Sequence, residues 1–375
     1  MKGFLFKTLS AWLLLTAVAA CTGRKSDTAA PQSATGDNAP EAQLLSLEQC
    51  DGFELATIDN PWGEGVLRRY ALVPRDADVP DNLPTGAVVV RTPVSRALVY
   101  SVVHTSALKD VGAGGAIAGV ADAQFFTDPD ITARVAAGEI ADCGSSTQPD
   151  VERIIRLAPD AVVLDTYQSA NFGQVARLDV PIIECADYME NTPLGRAEWI
   201  KFYGSLVGRR QMADSIYNAV AERYRTLRES RRTGTARHPR VLTESVIAGV
   251  WNVPGGDSYM AAIITDAGGI YPWADIKTTG SLSLDVDRVL AVAQDADVWL
   301  IKSFNIHSLQ DLRQTSALNA EFKAFKTGNV YVCDTNRTRL YELFPFHPDI
   351  LLQEYIDIFD GNDKATRFFK KVCSM

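Results

Sequence analysis

Asp150-Val151-Glu152-Arg153-Ile154-Ile155-Arg156-Leu157-Ala158-Pro159-Asp160-Ala161-Val162-Val163 reads as a helix, a turn and the start of a buried strand. Laid on Asp285 through Val298, 135 residues further on, the stretch matches at seven of fourteen positions. Each copy carries an acidic residue in the first helical turn, where the macrodipole favours negative charge. One αβ unit recurring once in each half of the chain predicts two similar lobes.

The surroundings of each copy agree. Leu98–Val103, Ile117–Val120, Ala161–Asp165 and Val180–Glu184 are apolar runs of strand length, with helical stretches between them at Thr105–Val111 and Pro149–Leu157. This alternation predicts a mostly parallel sheet with helices on its faces. Upstream, Phe53–Ile58 and Arg68–Pro74 flank the turn-rich Asn60-Pro61-Trp62-Gly63 and read as a hairpin. From Pro193 the pattern becomes helical. A first helix carries Trp199, Phe202 and Tyr203 and is closed by Gly208. The next presents Met212, Ile216, Ala219, Val220, Tyr224 and Leu227 as one apolar stripe. About 22 residues at 1.5 Å each make a rod of roughly 33 Å, enough to join two lobes. Strand regions return at Val241–Val246, Ala291–Leu300 and Val330–Val332, and Ile350–Phe359 closes the fold as a helix. The expected architecture is α/β: a Rossmann-like lobe over residues 43–192, a helical connector over 193–231 and a second Rossmann-like lobe over 232–375.

The amino terminus sets the compartment. Residues 1–20 carry Lys2 and Lys7, an apolar run through Trp12 to Leu15, and the small residues Val18-Ala19-Ala20 directly before Cys21. That is a secretory signal whose end resembles a bacterial lipoprotein box, cut before a cysteine that is then acylated. Residues 21–42 are rich in Thr, Ala, Ser, Gly and Pro and read as a flexible tether. A lipid-anchored protein facing the periplasm is expected. Net charge is −9 over 375 residues with no basic run, which argues against nucleic acid as a partner. The other cysteines, Cys50, Cys143, Cys185, Cys333 and Cys373, form no CxxC or Cys/His pattern, and spacing assigns no disulfide among them.

Few motifs carry catalytic chemistry. Val111-Gly112-Ala113-Gly114-Gly115 follows a helix and precedes a strand, the reverse of a dinucleotide fingerprint, and reads as a helix stop. His104, His238, His307 and His347 are scattered without ligand spacing, so no metal site is expected. His238 reads as solvated and His347 as a cap for the last helix. His104 follows an apolar strand, at the edge where open α/β sheets bind ligands. The post-strand loops share a composition of aromatic, amide and hydroxyl side chains, suited to a large ligand with apolar faces and a polar rim.

Val253-Pro254-Gly255-Gly256, Thr192-Pro193-Leu194-Gly195-Arg196-Ala197-Glu198-Trp199, Ile182 through Glu190 and Phe346-His347-Pro348-Asp349, together with the 150–160 stretch, resemble the helical-hinge solute-binding proteins of metal-chelate ABC importers. Those proteins carry ferric siderophores, haem or cobalamin, and the chain looks most like the Bacteroides-type lipoproteins among them. The resemblance spans about Tyr70 to Gly361. It implies a monomer without cofactor or catalysis, holding a metal chelate between two lobes that close little, and docking on a membrane permease through Glu152 and Asp287. Tyr167, Tyr188, Trp251 and Trp273 would pack the chelate's faces, while Gln124, Ser145, Ser146 and Asn305 orient it. His104, Phe125, Tyr259, Phe304 and Arg337 complete the expected contacts, with Lys302 and Arg339 as further cations for an anionic siderophore and His104 or Tyr167 as an axial haem ligand. Two other classes remain open from the residues alone: a secreted α/β hydrolase, and a bare zinc- or manganese-binding lipoprotein.

Overall fold

Short apolar runs broken by turns give this chain many strands. The computed structural model describes residues 40–233 and 237–372. The signal segment, Cys21, nearly all of the tether and Cys373 lie outside them.

The first four strands, β1 (Leu45–Cys50), β2 (Phe53–Asp59), β3 (Val66–Pro74) and β4 (Ala87–Thr92), form a sheet of their own in sequential order. The expected hairpin is its β2–β3 pair, and β4 joins β3 in parallel. Five parallel strands follow: β5 (Ala97–Val99), β6 (Ile117–Val120), β7 (Ala141–Asp142), β8 (Ala161–Asp165) and β9 (Ile182–Cys185), ordered β7-β6-β5-β8-β9. Helices α1 (Val102–Asp110), α2 (Pro129–Ala136) and α3 (Val151–Leu157) link them. Alternate residues of the central strands enter different cores. Ala97, Val99, Ala161 and Val163 join the main core, whereas Leu98, Val162 and Leu164 join a second cluster with Ile154 and Leu157 of α3. A parallel sheet covered on both faces needs such continuous apolar strands. One boundary departs from expectation. The strand foreseen to Val103 stops at Val99, because the Ser101 hydroxyl caps a helix by accepting the Val103 N–H. His104 therefore lies in the first turn of α1.

The connector is α4 (Pro193–Glu198), α5 (Ile200–Leu206) and the 24-residue α6 (Arg210–Thr233), about 36 Å long. At one end Arg210 pairs with Glu54 of β2. At the other, Arg231 pairs with Asp360 at 2.6 Å and donates to the Ala267 carbonyl at 2.7 Å. Its buried stripe is Ala213, Tyr217, Val220, Ala221 and Tyr224, whereas Met212 is exposed and Ile216 and Leu227 are half-buried. The buried face shares Val220 and Tyr224 with the expected stripe and is turned from it by about 80° of helix. Tyr217 takes a buried position in it, and its neighbour Ile216 stays half-buried.

Beyond α6, β10 (Val241–Thr243), β14 (Val298–Lys302), β15 (Val330–Cys333) and β16 (Phe369–Lys371) form a second sheet in the order β10-β14-β15-β16, antiparallel only at β16. β11 (Val246–Ile247), β12 (Val250–Pro254) and β13 (Ser281–Leu284) make a small antiparallel sheet. Six helices complete the lobe: α7 (Tyr259–Asp266), α8 (Val286–Ala293), α9 (Leu309–Thr315), α10 (Lys323–Thr327), α11 (Leu340–Leu343) and α12 (Pro348–Asp360).

The internal repeat is visible in both lobes, with a slip. Asp150 caps α3 by accepting the Arg153 N–H, and Asp285 caps α8 by accepting the Arg288 N–H. Ungapped alignment puts the second strand at Ala296, but β14 begins at Val298. The true counterparts are Asp160 and Asp297. Each donates its backbone N–H to an arginine carbonyl, Arg96 or Arg240, and takes that arginine's N–H on its carboxylate. The second copy therefore carries two extra residues in its turn, and the foreseen strand region Ala291–Leu300 divides between α8 and β14.

Candidate ligand cleft and the charged cluster beneath it

The loops at the carboxyl ends of the parallel strands carry the exposed aromatic surface. Among the described residues, the exposed large aromatic side chains are Phe125, Tyr167, Phe304 and Tyr341. They follow β6, β8, β14 and β15 respectively. Ile247, at the end of the segment leaving β10, is 71% exposed. Backbone strain collects here too: Asp122 and Ser169 in one lobe, and Glu244 and Ala248 in the other, adopt positive φ without being glycine. Such conformations persist where surrounding structure over-determines them, commonly at ligand sites.

Two cavities open along this edge. The first, about 850 Å³, lies in the N-terminal lobe against Tyr100, Ser146, Thr147, Gln148, Asp165, Tyr167, Asn171, Phe172 and Gln174. The second, about 480 Å³, is shared between the lobes. Tyr188 and Met189 face Glu244, Ile247, Asn252, Tyr259, Lys302 and Tyr341 across it. Tyr188 divides them, its hydroxyl donating to the Thr166 carbonyl at 2.6 Å, and burial pushes its phenol up to about 12.

Behind the first cavity lies a charged cluster. His104 is fully buried, its Nδ1 2.6 Å from the Tyr203 hydroxyl and its Nε2 3.3 Å from Asp165 Oδ1. Burial opposes a charge on this imidazole, but the Asp165 and Asp187 carboxylates outweigh it and raise its pKa. Burial likewise works against the Asp165 carboxylate, while His104 and Arg196 hold it below the usual range. The Asp165 side chain is 45% exposed, into the cavity. Asp187 is fully buried and accepts from Arg196 Nε at 2.9 Å; the guanidinium lies 4.6 Å from the Tyr259 ring centre and 5.3 Å from that of Phe344. One nitrogen or oxygen from each of His104, Asp165 and Asp187 falls within 4.8 Å of the others. Sequence spacing gave no hint of this grouping, because α1, the end of β8 and the loop after β9 meet only in the folded sheet.

A seam of charge closes the lobes beside it. Asp128 takes Lys109 at 2.6 Å and Arg339 of the other lobe, Thr127 donates to Glu342 at 2.7 Å, and His347 Nε2 sits 2.9 Å from Asp110. His347 precedes α12 but makes no capping bond with its side chain, so its expected role as a cap is replaced by this ion pair. His238 is exposed as foreseen, against the Gly268 carbonyl at 2.9 Å.

The structure separates the expected contacts into two groups. Phe125, Ser146, Tyr167 and Phe304 are open, as are Gln124, Asn305 and Arg337; Ser145, Tyr188 and Tyr259 are half-buried. Trp251 is a core residue instead. It has no exposed surface, stacks on Trp299 at 5.5 Å and donates its indole N–H to the Thr243 carbonyl at 2.9 Å. Trp273 is 4% exposed, packed edge-on against Tyr271. His104 is sealed beneath Asp165 and offers no face to an axial position. Two of the cations foreseen for an anionic ligand are engaged, Lys302 with Glu244 and Arg339 with Asp128 and Glu342, whereas Arg337 stays open with Asp334 at 3.5 Å. The Val253–Gly256 marker is a close crossing. A Cβ on Gly255 would lie 2.3 Å from the Thr278 carbonyl and one on Gly256 2.4 Å from that of Ala274, so only glycine admits the 273–280 loop. Glu152 and Asp287 are both exposed in the first turns of α3 and α8. Cys50, Cys143, Cys185 and Cys333 are free thiols.

Two α/β lobes bridged by one long helix, with ligand-type loops meeting at a shared cavity, define the helical-backbone class of periplasmic binding proteins. The Periplasmic binding protein family matches residues 102–336, and the chain belongs to it. It is similar, at 26% identity over 284 residues, to an uncharacterised lipoprotein of Methanocaldococcus jannaschii, covering 72% of this chain and 67% of the relative. It is similar in fold to a periplasmic haem-binding protein of Pseudomonas aeruginosa (TM-score 0.59, 16% identity, 75% of this chain and 99% of the other). The periplasmic vitamin B12-binding protein BtuF of Vibrio cholerae matches with TM-score 0.54 and 14% identity over 72% of this chain and 99% of its own. Among the described residues no helix is long and apolar enough to cross a membrane.

Proposed function

We propose that this protein is the substrate-binding lipoprotein of an ABC importer, anchored through Cys21, which captures a metal chelate between its lobes and delivers it to the permease. The observation that carries this reading is the clustering of the exposed aromatics, Phe125, Tyr167, Phe304 and Tyr341, at the carboxyl ends of both parallel sheets. A chelate with broad apolar faces buries such rings, and the hydroxyl and amide groups of Ser146, Gln148 and Asn171 satisfy its rim. The haem-binding and vitamin B12-binding periplasmic proteins of similar fold support the same reading. Because Lys302 and Arg339 already face carboxylates, the cleft favours a chelate of little net charge, cobalamin-like, over an anionic catecholate. Glu152 and Asp287 stand at matching helix starts on the two lobes, free to meet permease arginines. The continuous core through Trp199, Tyr203 and Phe346 supports small lobe closure.

Calorimetric titration with cobalamin, haem and ferric siderophores tests the reading. Micromolar or tighter one-to-one binding of one chelate is the expected result, with cobalamin ahead of any catecholate. No chelate binding would overturn it.

A further inference from the structure

We propose that His104, Asp165 and Asp187 form a divalent-cation site in the floor of the N-terminal cavity, suited to a first-row metal such as Mn²⁺ or Fe²⁺. Three independent features lead there. The candidate donor atoms lie within 4.8 Å of one another. Ligand distances near 2.1 Å place donors about 3.4 Å apart in a tetrahedral shell and about 3.0 Å apart in an octahedral one, so the widest pair needs to close by up to roughly 1.4–1.8 Å. Asp187 Oδ1 is sealed from solvent without a hydrogen-bond partner, and His104 Nε2, equally sealed, meets just the Asp165 carboxylate at 3.3 Å, outside hydrogen-bond geometry. Such orphaned groups are uncommon and costly in native proteins, and one cation meets both. The third member, Asp165, opens into the 850 Å³ cavity and supplies the way in.

The surroundings complete a metal environment. The Tyr203 hydroxyl lies 2.6 Å from His104 Nδ1, and in the tautomer that donates Nδ1–H to it the Nε2 lone pair is kept for the ion. Arg196 holds Asp187 by Oδ2 and leaves Oδ1 free. Its positive charge lowers the net charge of the two carboxylates to −1, which suits a divalent ion of moderate affinity. The same ion displaces any proton on Nε2 and leaves coordination positions open toward the cavity for water or an oxygen of the cargo. One imidazole with two carboxylates matches Mn²⁺ and Fe²⁺ better than thiol-seeking metals.

Mn²⁺ is the probe, since the free thiols compete poorly for it. Chelator-treated protein is titrated with Mn²⁺ and free ion is read by its paramagnetic resonance signal. About one equivalent should bind, at least tenfold more weakly in Asp165→Asn and in His104→Gln, with Glu229→Gln, on the exposed face of α6, unchanged. Asp165 is half-exposed, so Asp165→Asn remains informative should His104→Gln fold poorly, and melting curves without metal establish the fold of each variant. Absence of saturable uptake, or equal uptake by Asp165→Asn, overturns the site and leaves a purely structural ion-pair cluster. The chelate reading stands or falls separately: Mn²⁺ uptake without chelate binding sinks that reading alone.

Discussion

The two lobes build the same edge from similar residues, and each leaves rings open there, but the C-terminal lobe also buries several of its own. In the N-terminal lobe, the loop after β8 turns Tyr167 outward and leaves Asp165 at a cavity floor. In the C-terminal lobe Phe304 is exposed after β14 in the same way, but three further aromatic residues fold inward. Trp251, Trp299 and Phe322 form a three-ring cluster with centroids 5.1 to 5.6 Å apart, and both indole N–H groups are spent on the carbonyls of Thr243 and Glu244. A buried ring with a satisfied N–H holds a lobe together; an exposed ring at a strand end waits for a partner. Composition does not distinguish these, because Trp251 lies on β12 of the small antiparallel sheet, packed against Trp299 and Phe322, whereas Phe304 follows β14 in an open loop.

The sharpest break of that contrast comes from paired truncations. Trp251→Ala should cost about 3–5 kcal/mol of stability, as large buried rings do, while chelate affinity of the folded fraction stays within threefold. Phe125→Ala with Phe304→Ala should do the reverse, leaving the melting temperature near wild type and weakening chelate binding more than tenfold, roughly 1.4 kcal/mol or more. Thermal melts alongside titrations check both. A smaller effect is expected at the seam between the lobes. Burial opposes the Asp128 charge, yet Lys109, the Ile131 N–H and Arg339 hold its carboxyl below the ordinary value of 3.8. A group depressed in the folded state adds stability that is present above the unfolded pKa and lost as pH falls through the folded one. Melting temperature should therefore drop below about pH 4, and Asp128→Asn, destabilised by about 2 kcal/mol at neutral pH, should lose less over the same range. Smallest for the isolated protein is the reversal of Glu152→Lys with Asp287→Lys. Stability and ligand affinity should hold, since both side chains are exposed on helix starts, while transporter-dependent uptake in cells falls. Unchanged uptake would remove both residues from the permease contact.

Legibility in the sequence followed the range of the interactions involved. β8 runs over Ala161–Asp165 as read from its apolar run, and the connector helix differs from expectation by a residue or two. Both rest on local periodicity. The buried face of α6 departs from the expected one by about 80°, because Tyr217 and Ile216 are both apolar and only the packed neighbours choose between them. The repeat was legible as a helix with an acidic start, but its slip was not: the two inserted turn residues are revealed by the bonds of Asp160 and Asp297 to chain far away in sequence. Phe125 and Phe304, expected from the sequence as ligand contacts on loops, are exposed, while Trp251 carries the same sequence signature and is buried.

By itself the sequence determined the class of fold, since strand and helix periods, an αβ unit used twice and one long amphipathic rod admit few other arrangements. It also determined which loops hold aromatic and polar groups together. Tertiary structure alone decided which of those rings face a cavity, and it alone gathered His104, Asp165 and Asp187 into one cluster. The reason is physical: side-chain periodicity is set by neighbours three or four positions away, whereas burial and charge pairing depend on segments brought together only when a parallel sheet closes.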